Sequence, residues 1–199
     1  MRTVVIGCNH RTAPVEVRER LAFDAAACAE ALRRLRERFP CCEAVLLSTC
    51  NRTELYVARP VHGHPRIEEA IGFLAENRGV AVHEFSPSTY HYEDAEALRH
   101  LFRVAGSIDS MVVGESQILA QVKSAFTLAR EAGMAGRHLD AVFQRAFAAS
   151  TWRTSASAAE IRLRLIPTCQ GKDHSVHMCI RTPYVFSACS PRTKSSLLR

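Results

Sequence analysis

No apolar run in this 199-residue chain approaches the length needed to cross a bilayer. The start, Met1-Arg2-Thr3-Val4-Val5-Ile6-Gly7, has one basic residue and an apolar stretch too short for a secretory signal. A soluble, cytoplasmic protein is expected. The eight cysteines include no CxxC pair. With no export signal and a chain long enough to bury its own core, reduced thiols are expected rather than a disulfide framework. Cys169, His174, His177 and Cys179 can be drawn as a zinc site, but they lack the close knuckle of structural zinc centres, and no metal is assigned. Acidic residues are nearly missing from the end. After residue 150 there are eight Lys and Arg against two Asp and Glu, whereas residues 1 to 150 hold 18 of each sign. The formal charge of +6 thus belongs to the last 49 residues, and it is no argument for nucleic-acid binding by the main domain.

What is present up to residue 150 has the grammar of a folded domain. Thr3 to Gly7 is β-branched and closed by glycine, which predicts a buried strand. Pro14 suits the first turn of a short helix through Leu21. Asp24 predicts an N-cap for a helix with Cys28, Leu32, Leu35 and Phe39 on its apolar face, ended by Pro40. The arginines of that segment, Arg33, Arg34, Arg36 and Arg38, read as a solvated face rather than a docking site. Glu43 to Thr49 and Glu54 to Ala58 are strands, Ile67, Ile71 and Leu74 mark a helix ending at Gly79, and Thr89 to Tyr92 is a last strand. This βαββαβ order predicts an α+β, ferredoxin-like antiparallel sheet with helices on one face. A helical extension follows. Asp94 is expected to cap a helix broken at Gly106-Ser107, Gly114-Glu115-Ser116 opens another, and Val142, Ala146 and Ala149 begin one more. Residues 151 to 199 keep no lasting apolar period and are expected to form an irregular, disordered tail. The alternating Ile161 to Ile166 has no neighbouring strand to pair with.

Between the two central strands stands Ser48-Thr49-Cys50-Asn51-Arg52-Thr53. A cysteine at a strand-to-strand tip can face a substrate while rigid elements hold it, and an adjacent guanidinium can bind an anionic group and favour the thiolate. The same residue type is elsewhere a small buried apolar filler. Gln117 and Gln121 stand one helical turn apart with their amides on one face, an arrangement equally common on ordinary surfaces.

Three stretches make the pattern specific. They are Gly7-Cys8-Asn9-His10-Arg11-Thr12-Ala13-Pro14-Val15 with Arg18 to Leu21, then Leu47 to Tyr56 around Cys50, then His100 to Ala105 with Asp109 to Leu119 and Gln121-Val122-Lys123. Together they closely resemble glutamyl-tRNA reductase over residues 1 to about 150. That family is an NADPH-dependent oxidoreductase that makes glutamate-1-semialdehyde from glutamyl-tRNA, the entry to tetrapyrrole and porphyrin biosynthesis. The resemblance implies that Cys50 attacks the ester carbonyl joining glutamate to the tRNA 3′ end, forms a glutamyl thioester and releases tRNA. It implies that Thr49, Asn51, Arg52, Ser110, Glu115, Ser116, Gln117 and Gln121 line the glutamate pocket, and that His100 is the histidine implicated in activity. An aminoacyl ester is already activated, so a thiolate suffices without a strong base, and Arg52 suits the side-chain carboxylate.

The match departs from the family in two places. Ala105-Gly106-Ser107-Ile108-Asp109 stands where the family has a small residue followed by Gly-Leu-Asp, which shifts the glycine in the turn that delivers Ser110. After residue 150 no GxGxxG occurs, and the remaining length cannot hold the family's NADPH-binding domain and helical dimerisation domain. The expectation is a catalytic N-terminal domain over residues 1 to 150 that forms and hydrolyses a thioester without an NADPH site. The alternative is a non-catalytic module that holds glutamyl-tRNA or a pathway partner, and the family's homodimer is not expected. The abrupt change after residue 150 fits translation out of register. Reading the gene downstream of codon 150 in its other frames should reveal a glycine-rich dinucleotide motif; two frames without one would end that idea.

Overall fold

A computed structural model describes residues 1–109 and 117–155, with only the backbone described from 151 onward. The chain divides into two units, Met1–Ile161 and Arg162–Arg199, and all described residues lie in the first. The tail cysteines and histidines, the segment Ile161 to Ile166 and the expected disorder of the tail beyond residue 155 lie outside the described residues, as do Ser110, Glu115 and Ser116. Residues 151–155, expected to be irregular, instead continue the last described helix.

The elements run β1 (Arg2–Asn9), α1 (Val15–Leu21), α2 (Ala25–Arg38), β2 (Glu43–Ser48), β3 (Arg52–Arg59), α3 (Ile67–Asn77), α4 (Val82–Phe85), β4 (Tyr90–Glu93), α5 (Asp94–Ala105), α6 (Gln117–Glu131) and α7 (Arg137–Ser155). The four strands form one sheet in the order β2-β3-β1-β4, with every neighbouring pair antiparallel. This is the expected ferredoxin-like α+β arrangement. Asp24 caps α2 as its residue type predicts, its carboxylate accepting from the Ala27 N–H at 2.8 Å. Gly79 takes φ +61 just after α3, where a residue with a Cβ would be strained.

Three local expectations are corrected. Asp94 does not cap α5: its Oδ1 accepts the Thr3 N–H at 3.1 Å, tying the helix start to β1. Pro14 is the N-cap of α1 rather than part of its first turn. Between α3 and β4 the chain forms α4 and a 3₁₀ turn over Ser86–Ser88, elements too short for a periodic signal.

The strand β3 is buried at all eight positions, so both sheet faces are covered. Residues alternate across it. Thr53 faces α1, where its hydroxyl donates to the Leu21 carbonyl at 3.3 Å. Arg52, Glu54 and Tyr56 face the other way. There Glu54 meets His100 of α5, and the Tyr56 ring stands edge-on to Phe143 of α7 at 5.5 Å. Phe143 in turn stacks on Phe126 of α6 at 5.1 Å. The helical extension is thus the second cover of the sheet. Each fully buried leucine, such as Leu46, Leu47 and Leu55, contributes about 1.5–3 kcal/mol by leaving water.

The start of α7 is fastened to the sheet. The Glu43 carboxylate accepts the His138 and Leu139 N–H groups at 3.1 and 2.6 Å, satisfying donors that a helix start leaves free. The Ala44 N–H donates to the Met134 carbonyl at 2.8 Å, and His138 Nε2 pairs with the Thr3 hydroxyl at 2.8 Å.

Gly7 sits opposite Glu54 in the β1–β3 register, and an added Cβ would come within 2.3 Å of the Thr53 carbonyl and 2.9 Å of the Glu54 side chain. Gly7→Ala should therefore lower the unfolding free energy in urea by about 1–3 kcal/mol. Gly72→Ala in α3, with nothing within 4 Å, should raise it by about 0.5–1 kcal/mol.

Candidate functional site

The turn Thr49-Cys50-Asn51 joins β2 to β3. Thr49 stitches it: its N–H donates to the Arg52 carbonyl at 2.8 Å, and its hydroxyl oxygen accepts the N–H groups of Asn51 and Arg52 at 3.2 Å each. The hydroxyl of a β-branched residue, stiff at χ1, thereby fixes the backbone on both sides of the cysteine. Cys50 itself is exposed. Cys41 is exposed as well, whereas Cys8, Cys28 and Cys42 are buried, and burial pushes each of those three thiols up to about 11.

The loop after β1 docks on this turn. Asn9 closes the loop on itself, its carbonyl accepting from Thr12 N and Ala13 N and its side chain from Arg11 N at 2.9 Å. The His10 N–H then donates to the Asn51 carbonyl at 2.9 Å. Burial, followed by the nearby charges of Arg11 and Arg52, pushes the His10 imidazole below its usual range. From α1, Arg18 Nη1 donates to the Cys50 carbonyl at 2.6 Å and to Asn51 Oδ1 at 3.3 Å.

Beneath the turn lies a buried ionic network. Glu54, with no exposure, accepts from Arg52 Nη1 at 2.6 Å, from Tyr56 Oη at 2.6 Å, from His100 Nε2 at 2.9 Å and from Tyr90 Oη. A carboxylate can only accept, so Nε2 is the protonated nitrogen of His100 in this pairing. Burial alone would raise the Glu54 carboxyl, but the bonds and charges of His100, Arg52 and Tyr56 outweigh it and hold it at about 2. Burial and the same carboxylate push the Tyr56 and Tyr90 hydroxyls upward. Arg52 is 2 % exposed, and its Nη2 reaches the Asp109 carbonyl at 2.5 Å and Asp109 Oδ2 at 3.4 Å. Asp109, itself buried, also takes Arg11 Nη1 at 2.9 Å and faces Arg103 Nη2 at 3.6 Å.

A cleft of about 260 Å³ opens beside this network, walled by Asn9, Arg11, Tyr92, Arg99, His100 and Arg103. A larger groove, about 330 Å³, crosses α2 and α3, but its charges are spent on each other, as in Arg38 with Glu76 at 2.8 Å, and it contains no nucleophile. The arginine run of α2 behaves as a paired surface. Arg33 bonds Glu30 at 2.7 Å and also Glu37, and Arg34 bonds Asn77 at 3.0 Å.

Of the residues singled out in the sequence, Thr49, Cys50, Asn51 and Arg52 come together at the turn, and His100 joins them through Glu54. Gln117 and Gln121 stand exposed at the start of α6, with no hydrogen bond to the turn among the described residues. Arg52 does not lie open to solvent: Glu54 and Asp109 already occupy it. Four residues of the site were not singled out. Glu54 and Tyr90 carry the network, Asp109 locks Arg52, and Arg18 holds the turn. The alternation Arg52, Glu54, Tyr56 along one strand face was the available signal for Glu54. The others depend on long-range closure.

The folded carboxyl of Glu54 lies below its ordinary value of 4.5, so its contribution to stability is complete above that pH and is lost as pH falls toward about 2. Urea midpoints measured from pH 6 to pH 2 should fall steeply below about 4.5 in the parent chain. Glu54→Gln should flatten that fall and cost about 3–5 kcal/mol at neutral pH, because the Arg52 charge stays buried without its carboxylate.

Residues 6–155 match the family model for the N-terminal domain of glutamyl-tRNAGlu reductase. The glutamyl-tRNA reductase of Rubrobacter xylanophilus is 51 % identical over 146 residues, covering 73 % of this chain and 34 % of the relative. That of Pseudomonas paraeruginosa is 43 % identical over 161 residues, covering 80 % and 37 %. The solved glutamyl-tRNA reductase of Methanopyrus kandleri superposes with a TM-score of 0.63 at 34 % identity, over 79 % of this chain and 36 % of that one. The chain spans about a third of the length of these relatives. By this match, and by the turn and network the fold builds, the chain belongs to the glutamyl-tRNA reductase family through its N-terminal domain.

Proposed function

We propose that this domain carries out the acyl-transfer half of the family reaction, taking the glutamyl group from glutamyl-tRNA onto Cys50. The observation that carries this reading is an exposed thiol on a turn whose flanking backbone is fixed by Thr49, Arg18 and the loop of His10. Such rigidity holds a nucleophile in attack geometry. The sulfur bonds to the ester carbonyl carbon, the bond from that carbon to the ribose oxygen breaks, and the thiol proton ends on the ribose hydroxyl. Hydrolysis of the thioester then gives free glutamate and restores the thiol.

Arg52 and its surroundings suit the glutamate side chain. Of the Arg52 contacts, the one to Asp109 Oδ2 at 3.4 Å is the longest, and a substrate carboxylate exchanges with it while Glu54 keeps the guanidinium in place. Thr49, Asn51, Gln117 and Gln121 line the pocket in this reading, together with Ser110, Glu115 and Ser116 from outside the described residues. His100 acts through Glu54, as one of the donors that keep it ionised.

The family's NADPH supplies hydride when bound. Among the described residues the β1–α1 turn does not fit a dinucleotide pyrophosphate. Asn9 and Thr12 close it with their own hydrogen bonds, Pro14 stands at the helix cap, and Gly7 lies within β1, where its missing Cβ makes room for Glu54. No reducing step is assigned to these residues.

Single-turnover incubation with glutamyl-labelled tRNA should leave hydroxylamine-sensitive label on the protein and release glutamate, with both lost in Cys50→Ser. A parent protein that is neither labelled nor releases more glutamate than Cys50→Ser would sink the reading, and semialdehyde formed with NADPH would overturn its confinement to acyl transfer.

A further inference from the structure

Attack on the ester turns its carbonyl oxygen into an oxyanion, and the donors able to meet it are limited by what the turn has already spent. The Asn51 and Arg52 N–H groups go to the Thr49 hydroxyl, the Thr49 N–H goes to the Arg52 carbonyl, and the His10 N–H goes to the Asn51 carbonyl. The Cys50 N–H has no acceptor among the described residues. Arg18 is the second unspent group. One of its nitrogens, Nη1, sits on the Cys50 carbonyl at 2.6 Å and on Asn51 Oδ1 at 3.3 Å, while its Nε is buried with no hydrogen-bond partner among the described residues. A buried donor left unpaired is uncommon and costs free energy, so it calls for an explanation. The carbonyl that Arg18 holds belongs to the residue that carries the thiol.

We infer that Arg18 and the Cys50 N–H form the oxyanion site for attack by Cys50, with Arg18 as a catalytic residue that stabilises the tetrahedral intermediate. This rests on the acyl-transfer reading. As the Sγ–carbon bond forms, the carbonyl electron pair moves onto oxygen, where the guanidinium and the amide meet it. Collapse returns that pair, expels the ribose oxygen, and leaves the thioester. No oxidant or reductant takes part. The nucleophile's own N–H supplies one donor, as it does in acyl-transfer enzymes of unrelated folds. Arg18 adds a full positive charge, which is worth most where water is displaced.

Two reactions of the same thiol separate this role from simple support of the turn. Acyl transfer from glutamyl-tRNA makes an oxyanion, whereas alkylation by iodoacetamide displaces iodide from a saturated carbon and makes none. In Arg18→Gln and Arg18→Lys, the single-turnover rate of thioester formation at saturating glutamyl-tRNA should fall, by about 10²–10³-fold in the glutamine variant. The alkylation rate of Cys50, compared at a pH where the thiol is fully ionised, should stay within about twofold of the parent, and an unchanged urea midpoint shows an intact fold in each variant. Equal losses in both reactions would make Arg18 a support for the thiol and overturn the inference, as would undiminished thioester formation. A parent protein that alkylates normally but never acylates would remove the acyl-transfer reading itself, an outcome distinct from failure of the Arg18 role alone.

Discussion

The carboxylate of Glu54 is the point on which the domain turns. One acidic side chain with no solvent exposure gathers Arg52, His100, Tyr56 and Tyr90, so β3, β4 and α5 are fixed relative to one another by a single group. An isolated charge at that depth would be prohibitive, and an unpaired Arg52 no less so. Each makes the other tolerable, and the tyrosine hydroxyls and the histidine satisfy the remaining acceptor capacity. Gly7 belongs to the same arrangement, because only a residue without a side chain leaves space for Glu54 on the facing strand. Hydrophobic burial holds the sheet together, and this network ties α5 to β3 and β4.

The turn bearing Cys50 stands between two different chemical environments. On one side is the saturated network, where every strong donor around Glu54 already has its acceptor. On the other is Arg18, anchored through one nitrogen and left with hydrogen-bonding capacity. A satisfied network gives rigidity, and under the proposed acyl transfer the Cys50 thiol would draw on it and on the unspent group together. The sign of charge fits the same division. The acids nearest the turn, Glu54 and Asp109, are buried and neutralised, while Arg11, Arg99 and Arg103 outnumber Glu96 along the open cleft.

Much of the sheet was readable from local pattern. The β-branched run at Thr3 to Gly7, the apolar run before Thr49 and the capping residue Asp24 each state a local preference that the fold honours. The tip at Cys50 was readable for the same reason, since a polar cluster between two strand-like runs has few other outcomes. Pattern failed where a residue's partner is distant. Asp94 has the residue type of a helix cap, yet it serves the first strand's backbone, about ninety residues away in sequence. The short α4 is too brief to show a period. Arg52 has the residue type of a substrate-binding guanidinium, and nothing local reveals that Glu54 and Asp109 hold it from within. Which groups are already spent is a property of closure, and closure is not written in any window of the sequence.

The bond from the Ala44 N–H to the Met134 carbonyl has a consequence outside the site. β2 is the last strand on its side of the sheet, and an open strand there would offer a row of free amides to any other chain that could pair with it. The segment before α7 takes the Ala44 amide on that rim, and Glu43 holds it in place by capping the helix that follows. The opposite rim is β4, only four residues long. At Ala44 the edge amide of β2 is thus taken by the helical extension rather than left for another chain.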